Sequence, residues 1–126
     1  MTAGIADTNI LIELYRTFPG AQEWLANQRD IAITPVTRLE FMEGARGKSG
    51  QERCQQIIAQ FGLEYLTADD QRWAMTQLLK YRLSHGVSYA DCPIASVAHR
   101  LQVPIYTRNA RDFMPLLCAT LVITPY

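Results

Sequence analysis

The chain has 126 residues, twelve basic and twelve acidic, with zero formal net charge and an apolar fraction of 48%. That length suits one domain, residues 1–126, built around a real hydrophobic core, and the composition excludes a disordered, collagenous or coiled-coil chain. Zero net charge excludes a protein that holds nucleic acid by bulk electrostatics alone, and no stretch approaches the ~18 uncharged apolar residues of a membrane span.

The first predicted strand, Ala3–Ala6, runs into an apolar helix carrying Ile10, Leu11, Ile12, Leu14 and Tyr15, with Asp7 at the junction and Thr8 and Asn9 behind it. Asp7 and Glu13 interrupt this stretch and no basic start precedes it, so it does not read as a signal peptide. A second strand, Ile31–Ile33, precedes Thr34-Pro35, a cap followed by Pro at the first helical position, which opens a helix to about Ala45. The segment "GARGKSGQ", Gly44 to Gln51, reads as a helix-to-helix connection or as a mobile basic loop over a cleft. Ser49 to Gln60 is amphipathic through Cys54, Ile57, Ile58 and Phe61, and a strand is predicted over Leu63–Leu66.

Thr67-Ala-Asp-Asp70 resembles a capping box before a helix carrying Trp73, Leu78, Leu79 and Leu83. Pro93 must lie in the first turn of the next helix, whose apolar face is Ile94, Val97, Ala98 and Leu101. Strands at Pro104–Thr107 and Thr120–Thr124 complete the chain. Strands alternating with helices mean an α/β domain with a mainly parallel sheet covered on both sides. Cys54, Cys92 and Cys118 are odd in number and set in apolar patterns, which suits reduced thiols in a cytoplasm better than disulfides.

In a parallel α/β sheet, ligands bind in the crevice at the carboxyl ends of the strands. Four acids fall near it. Asp7 ends the first strand, and Glu40, in "TRLEFMEGA", sits one to two turns into the helix after the second. Asp91, in "SYADCPIA", occupies a first helical turn, and Asp112, in "TRNARDF", follows the fourth strand. Asp7, Asp91 and Asp112 also read as helix caps or first-turn acids, worth about 1 kcal/mol apiece. Glu40 equally reads as an exposed helical acid. Taken together, the four raise one another's pKa unless a counter-charge is present. Mg²⁺ or Mn²⁺, held by oxygen ligands and keeping several waters, is the natural solution. A water acidified by that ion attacks phosphorus in line. Thr8, Asn9, Thr107 and Asn109 then orient carboxylates or waters, or serve as turn and cap residues. Ten of the twelve bases are Arg, the side chain suited to bidentate phosphate contacts. Among them, Arg108 and Arg111 flank the last motif, where they could meet a phosphate backbone; Arg108 could instead pair with a site acid.

The ordered set "DTN", "TRLEFMEGA", "ADCPIA" and "TRNARDF" resembles the PIN domain, and more closely the VapC-type toxins of bacterial toxin–antitoxin pairs. The resemblance spans nearly the whole chain. It implies a five-stranded parallel sheet in a Rossmann-like α/β/α sandwich and a Mg²⁺- or Mn²⁺-dependent endoribonuclease leaving 5′-phosphate and 3′-hydroxyl ends. The family's acidic site would fall on Asp7, Glu40, Asp91 and Asp112, with Asp7 and Asp91 on the main metal and Glu40 and Asp112 acting directly or through water. Its supporting positions would be Thr8, Asn9, Thr107 and Asn109. It further implies a homodimer blocked by a small VapB-like antitoxin whose tail covers the groove. Cys92-Pro93 departs from the small helix formers more usual there. Three other readings stay open: a metal-free nuclease using His85 and His99, an inactive binding module, and a nuclease of RNA maturation or decay.

Overall fold

Successive side chains along a strand point to opposite faces, so a strand buried on both sides is apolar throughout. The computed structural model describes residues 1–126 and contains five strands, β1 Gly4–Ala6, β2 Ile31–Ile33, β3 Gly62–Leu63, β4 Ile105–Tyr106 and β5 Val122–Ile123, of which β1 and β2 are buried throughout. They form one sheet, parallel throughout, in the order β3-β2-β1-β4-β5. Ile5, Ala32, Ile105 and Val122 point into one core; Ala6, Ile31 and Ile33 point into the other.

The second of these cores is roofed by α1 Thr8–Tyr15, α2 Pro19–Ala26, α3 Pro35–Glu43 and α4 Gly47–Ile58. The first is covered by α5 Ala68–His85, α6 Asp91–Leu101 and α7 Ala110–Phe113. This is the expected α/β/α sandwich. Between α6 packed on α5 and on β1, no side of α6 is left to solvent over its middle. Cys92 and the run Ile94 to Ala98 are all buried, a wider face than the four residues expected. Pro93 lies in its first turn, as its missing N–H requires.

Helix starts match their sequence signals. Thr34 Oγ1 accepts from Thr37 N, with Pro35 in the first turn. Thr67 and Asp70 form a full capping box, and Gly86 closes α5 in the left-handed region at φ 68°.

Several boundaries differ from expectation, and three of them have an identifiable physical cause. The strand predicted over Leu63–Leu66 covers Gly62–Leu63, because this edge strand pairs only with β2 before the chain turns toward the Thr67 cap. The predicted strand Thr120–Thr124 shrinks to Val122–Ile123, since Ala119–Leu121 forms a 3₁₀ turn. Most of "GARGKSGQ" is helical: Gly47, at φ 68°, turns the chain into α4, leaving only residues 44–46 as a connection. No helix is long and apolar enough to cross a membrane.

Asp70 joins two helices of one layer. It is 4% exposed, closes the capping box of α5, and accepts from Arg100 Nε of α6 at 2.9 Å. Removing it deletes a cap and strands a partly buried guanidinium whose exposure softens the penalty. Asp70→Ala is expected to lower the unfolding free energy by about 2 kcal/mol in urea titrations, with the m-value unchanged.

Candidate active site

In this sheet the strand order reverses at β1, whose neighbours are β2 on one side and β4 on the other. Crevices in doubly wound folds open at such a reversal, beyond the carboxyl ends of the strands. The register pairs Ile5 with Ile105 and Ala6 with Tyr106, so the next residues, Asp7 and Thr107, stand side by side at the mouth.

Asp7 is 7% exposed and caps α1, its Oδ1 accepting from Thr8 N at 2.8 Å. Its Oδ2 accepts from Thr107 Oγ1 at 2.8 Å. Thr107 is fully buried, and its hydroxyl in turn accepts from Asn109 N at 2.9 Å and, at 3.5 Å, from Asn9 Nδ2. Those acceptances leave the Thr107 proton committed to Asp7. Asn9 Oδ1 accepts from Arg108 N at 3.2 Å, tying α1 to the turn after β4.

Glu40 reaches the same mouth from α3. Its Oε1 accepts from Thr8 Oγ1 at 2.7 Å, and Thr37, fully buried one turn earlier, lies 3.2 Å from the Thr8 hydroxyl. Asp91 enters from α6, where it exchanges two hydrogen bonds with Ser88: Ser88 N donates to Asp91 Oδ2 at 3.3 Å, and Asp91 N donates to Ser88 Oγ at 3.2 Å. Asp112 sits in α7, half-buried.

The carboxylates feel one another. Burial, opposed by the hydrogen bonds from Thr107 and Thr8 and reinforced by the charges of Asp91 and Glu40, pushes Asp7 up from 3.8 to about 6. Burial likewise raises Asp91 against its bonds to Ser88, with the charges of Asp112 and Glu40 adding to the rise. Asp7, Glu40 and Asp91 thus share one field, and Asp112 joins it through Asp91. The tighter gathering expected from the sequence is not reached: no three Asp, Glu, His or Cys side chains stand close enough to hold a metal ion by themselves. Each acid is drawn instead to its own donor, Asp7 to Thr107, Glu40 to Thr8 and Asp91 to Ser88. An all-oxygen set under mutual repulsion still suits a hard divalent cation whose remaining positions are filled by water.

The supporting positions separate. Thr8, Asn9 and Thr107 take part with their side chains, whereas Asn109 enters through its backbone N–H. Arg108 pairs with Glu13 at 3.4 Å rather than with any of the four acids, and Arg111 is exposed with no ion-pair partner. His99 stacks on Trp73 with centroids 4.8 Å apart, and His85 bonds Ser84; neither histidine meets an acid of the crevice. Sequence reasoning missed Thr37 and Ser88. A signal for Ser88 was present, since Ser88-Tyr-Ala-Asp91 repeats the spacing of Thr67-Ala-Asp-Asp70.

Fold and site together define a doubly wound α/β domain with an acidic crevice at its switch point. The PIN domain profile matches residues 5–114, and the chain belongs to the PIN domain family. A toxin–antitoxin complex from Klebsiella pneumoniae contains a similar chain, 26% identical, covering 98% of each chain with a TM-score of 0.78. The structure of FitAB bound to an IR36 DNA fragment is similar at 24% identity, covering 97% of this chain and 94% of that one, TM-score 0.75. Mycobacterium tuberculosis VapC20, a Sarcin-Ricin loop cleaving toxin, shares the fold at 13% identity, covering 92% of this chain and 97% of its own, TM-score 0.75. Among curated proteins, none matches the chain by sequence.

Asp7 holds its proton more tightly in the folded chain than at its ordinary value of 3.8, so its contribution favours the fold at low pH and is lost as pH rises through about 6. At neutral pH the ionised, buried group therefore works against stability. Asp7→Asn, which keeps a capping side chain, is expected to raise the unfolding free energy by about 2 kcal/mol at pH 7 in EDTA. The gain should vanish below pH 4 when urea unfolding is repeated across pH.

Proposed function

We propose that this chain is a Mg²⁺- or Mn²⁺-dependent endoribonuclease and the toxin of a VapBC-like type II toxin–antitoxin pair, acting as a single PIN domain in the cytoplasm. The observation that carries the catalytic reading is Asp7: a buried carboxylate, raised to about 6, beside the charges of Asp91 and Glu40. Family membership and the 26% identical chain of a toxin–antitoxin complex support the toxin role. RNA as the substrate class agrees with the Sarcin-Ricin loop cleaving relative that shares the fold.

In this reading Asp7 and Asp91 hold the ion, with Glu40 and Asp112 completing the shell directly or through water. When bound, the ion supplies positive charge against the phosphoryl oxygens and acidifies water. Thr107 keeps Asp7 aimed into the crevice, Thr8 does the same for Glu40, and Ser88 pins Asp91. Arg111, exposed and adjacent to Asp112 in α7, offers a guanidinium without an ion-pair partner for the RNA backbone. The antitoxin tail covers the acidic crevice in this reading, and a groove of about 390 Å³ lined by Ile12, Tyr15, Phe41 and Cys54 and bordered by Arg16 and Arg46 suits another of its segments. A second copy suits the outer stripe of α5, where Met75, Leu79 and Leu83 recur every fourth residue and are 66%, 86% and 99% exposed. Buried Cys54 and Cys92 and exposed Cys118 are all unpaired, consistent with a reducing compartment.

The deciding experiment is RNA cleavage by wild type and Asp7→Asn with Mn²⁺ and with EDTA. Wild type should cut only with the metal, leaving 5′-phosphates, and the variant should be slower by more than about 100-fold. Cleavage that survives chelation, or equal rates for the two proteins, would overturn the reading. Expression of wild type should arrest growth, and Asp7→Asn should relieve the arrest.

A further inference from the structure

Sheet pairing along β4 ends with Thr107, whose N–H donates to Ile123 O at 3.0 Å. Arg108 and Asn109 lie beyond the ladder, yet their N–H groups hold the two acceptors, Asn9 Oδ1 and Thr107 Oγ1, through which the turn meets the crevice. A two-residue turn outside the sheet needs another anchor to stay in one conformation.

The Arg108 side chain supplies it. Its Nε lies 3.4 Å from Glu13 Oε1 on α1, and Nη1 donates to the backbone oxygen of Tyr126. Its guanidinium lies 4.6 Å from the centroid of the Tyr126 ring and 5.7 Å from that of Phe18. The Tyr126 hydroxyl donates to the same Glu13 Oε1 at 2.5 Å, and burial together with that bond pushes the phenol upward, so it remains a donor. One carboxylate oxygen thus receives both the cation and the phenol, and the segment after β5 is strapped across the turn to α1.

We propose that Tyr126, acting through Arg108, is a positioning residue for the acidic crevice: the Tyr126–Arg108–Glu13 knot clamps the turn 107–109 against α1, which keeps the Thr107 hydroxyl aimed at Asp7. The path is continuous, from Tyr126 to Arg108, from the Arg108 and Asn109 amides to Asn9 and Thr107, and from Thr107 to Asp7 at 2.8 Å. None of the knot's side chains touches the four acids, so its effect falls on orientation and not on substrate binding. Arg108, engaged on its guanidinium's edge and face, is thereby withdrawn from the RNA-contacting role open to it from sequence. The inference rests on the nuclease reading for its kinetic consequence only.

Tyr126→Ala, Tyr126→Phe and Glu13→Gln test it with RNA cleavage in Mn²⁺ and amide hydrogen exchange on the same proteins. Tyr126→Ala should lower kcat about tenfold while KM stays within about twofold. Exchange at the Arg108 and Asn109 amides should quicken about tenfold, with the core amides of α6 unchanged. Tyr126→Phe keeps the ring beside the guanidinium and should recover most of the rate. Glu13→Gln, which leaves the aromatic packing in place, should give the same pattern at smaller amplitude, and it decides the matter should Tyr126→Ala fail to fold. Unchanged kcat in Tyr126→Ala and Glu13→Gln, a rise in KM alone, or faster exchange throughout the core would overturn the proposal. A wild type that cuts no RNA refutes the nuclease reading instead; the inference then stands or falls on exchange at Arg108 and Asn109.

Discussion

A carboxylate buried at the end of a strand has to be held by donors, and the hydrogen bond from Thr107 to Asp7 is the one around which this crevice is arranged. It exists because β1 and β4 pair in parallel with Ala6 opposite Tyr106. Parallel pairing in that register sets the backbones of the two following residues next to each other, and the turn after Thr107 orients its hydroxyl. The Thr107 hydroxyl has its acceptor capacity filled by Asn109 and Asn9, so it can only give its proton to Asp7. Asp7 in turn closes the first turn of α1 through Thr8, so one side chain is both a cap and the floor of the crevice. Capping therefore does not exclude a place in the crevice: one oxygen of Asp7 closes the helix and the other receives Thr107.

The remaining acids are brought to Asp7 by different layers of the sandwich: Glu40 by α3 above one face, Asp91 by α6 below the other, and Asp112 by α7 at the rim. Each has a local donor, or none in the case of Asp112, and each is repelled by at least one other. The outcome is a loosely parted set. Donors hold the acids in reach of one another while their charges keep them from closing. For Asp7, burial acts most strongly, the hydrogen bonds from Thr107 and Thr8 oppose it, and the charges of Asp91 and Glu40 add the smallest contributions.

Much of this architecture was legible in the sequence, for local reasons. An unbroken apolar run marked Ile31–Ile33, and Thr34-Pro35 and Thr67 to Asp70 marked helix starts through bonds spanning three residues. The failures have local causes as well. "GARGKSGQ" reads as a loop by composition, but amphipathic packing of Cys54 and Ile57 extends α4 through its glycines. The edge strands β3 and β5 were overextended because apolar composition does not say where a single partner strand ends. At the crevice, the positions of the acids followed from strand-to-helix junctions, while their partners did not. Thr8 meets Thr37 and Glu40 across about thirty residues, and Tyr126 meets Glu13 from the opposite end of the chain. Only three-dimensional proximity joins those groups, and no spacing rule encodes it.

The pairing of the first strand with the fourth also has a consequence for synthesis. On the ribosome, β1 and Asp7 emerge early, but the strand that supplies Thr107 is about a hundred residues behind. Until that length has cleared the exit tunnel, the nascent polypeptide owns one wall of its crevice and lacks the other. A shorter translation product carries Asp7 without the hydroxyl that holds it, so the crevice as described assembles only once Thr107 is free to pair.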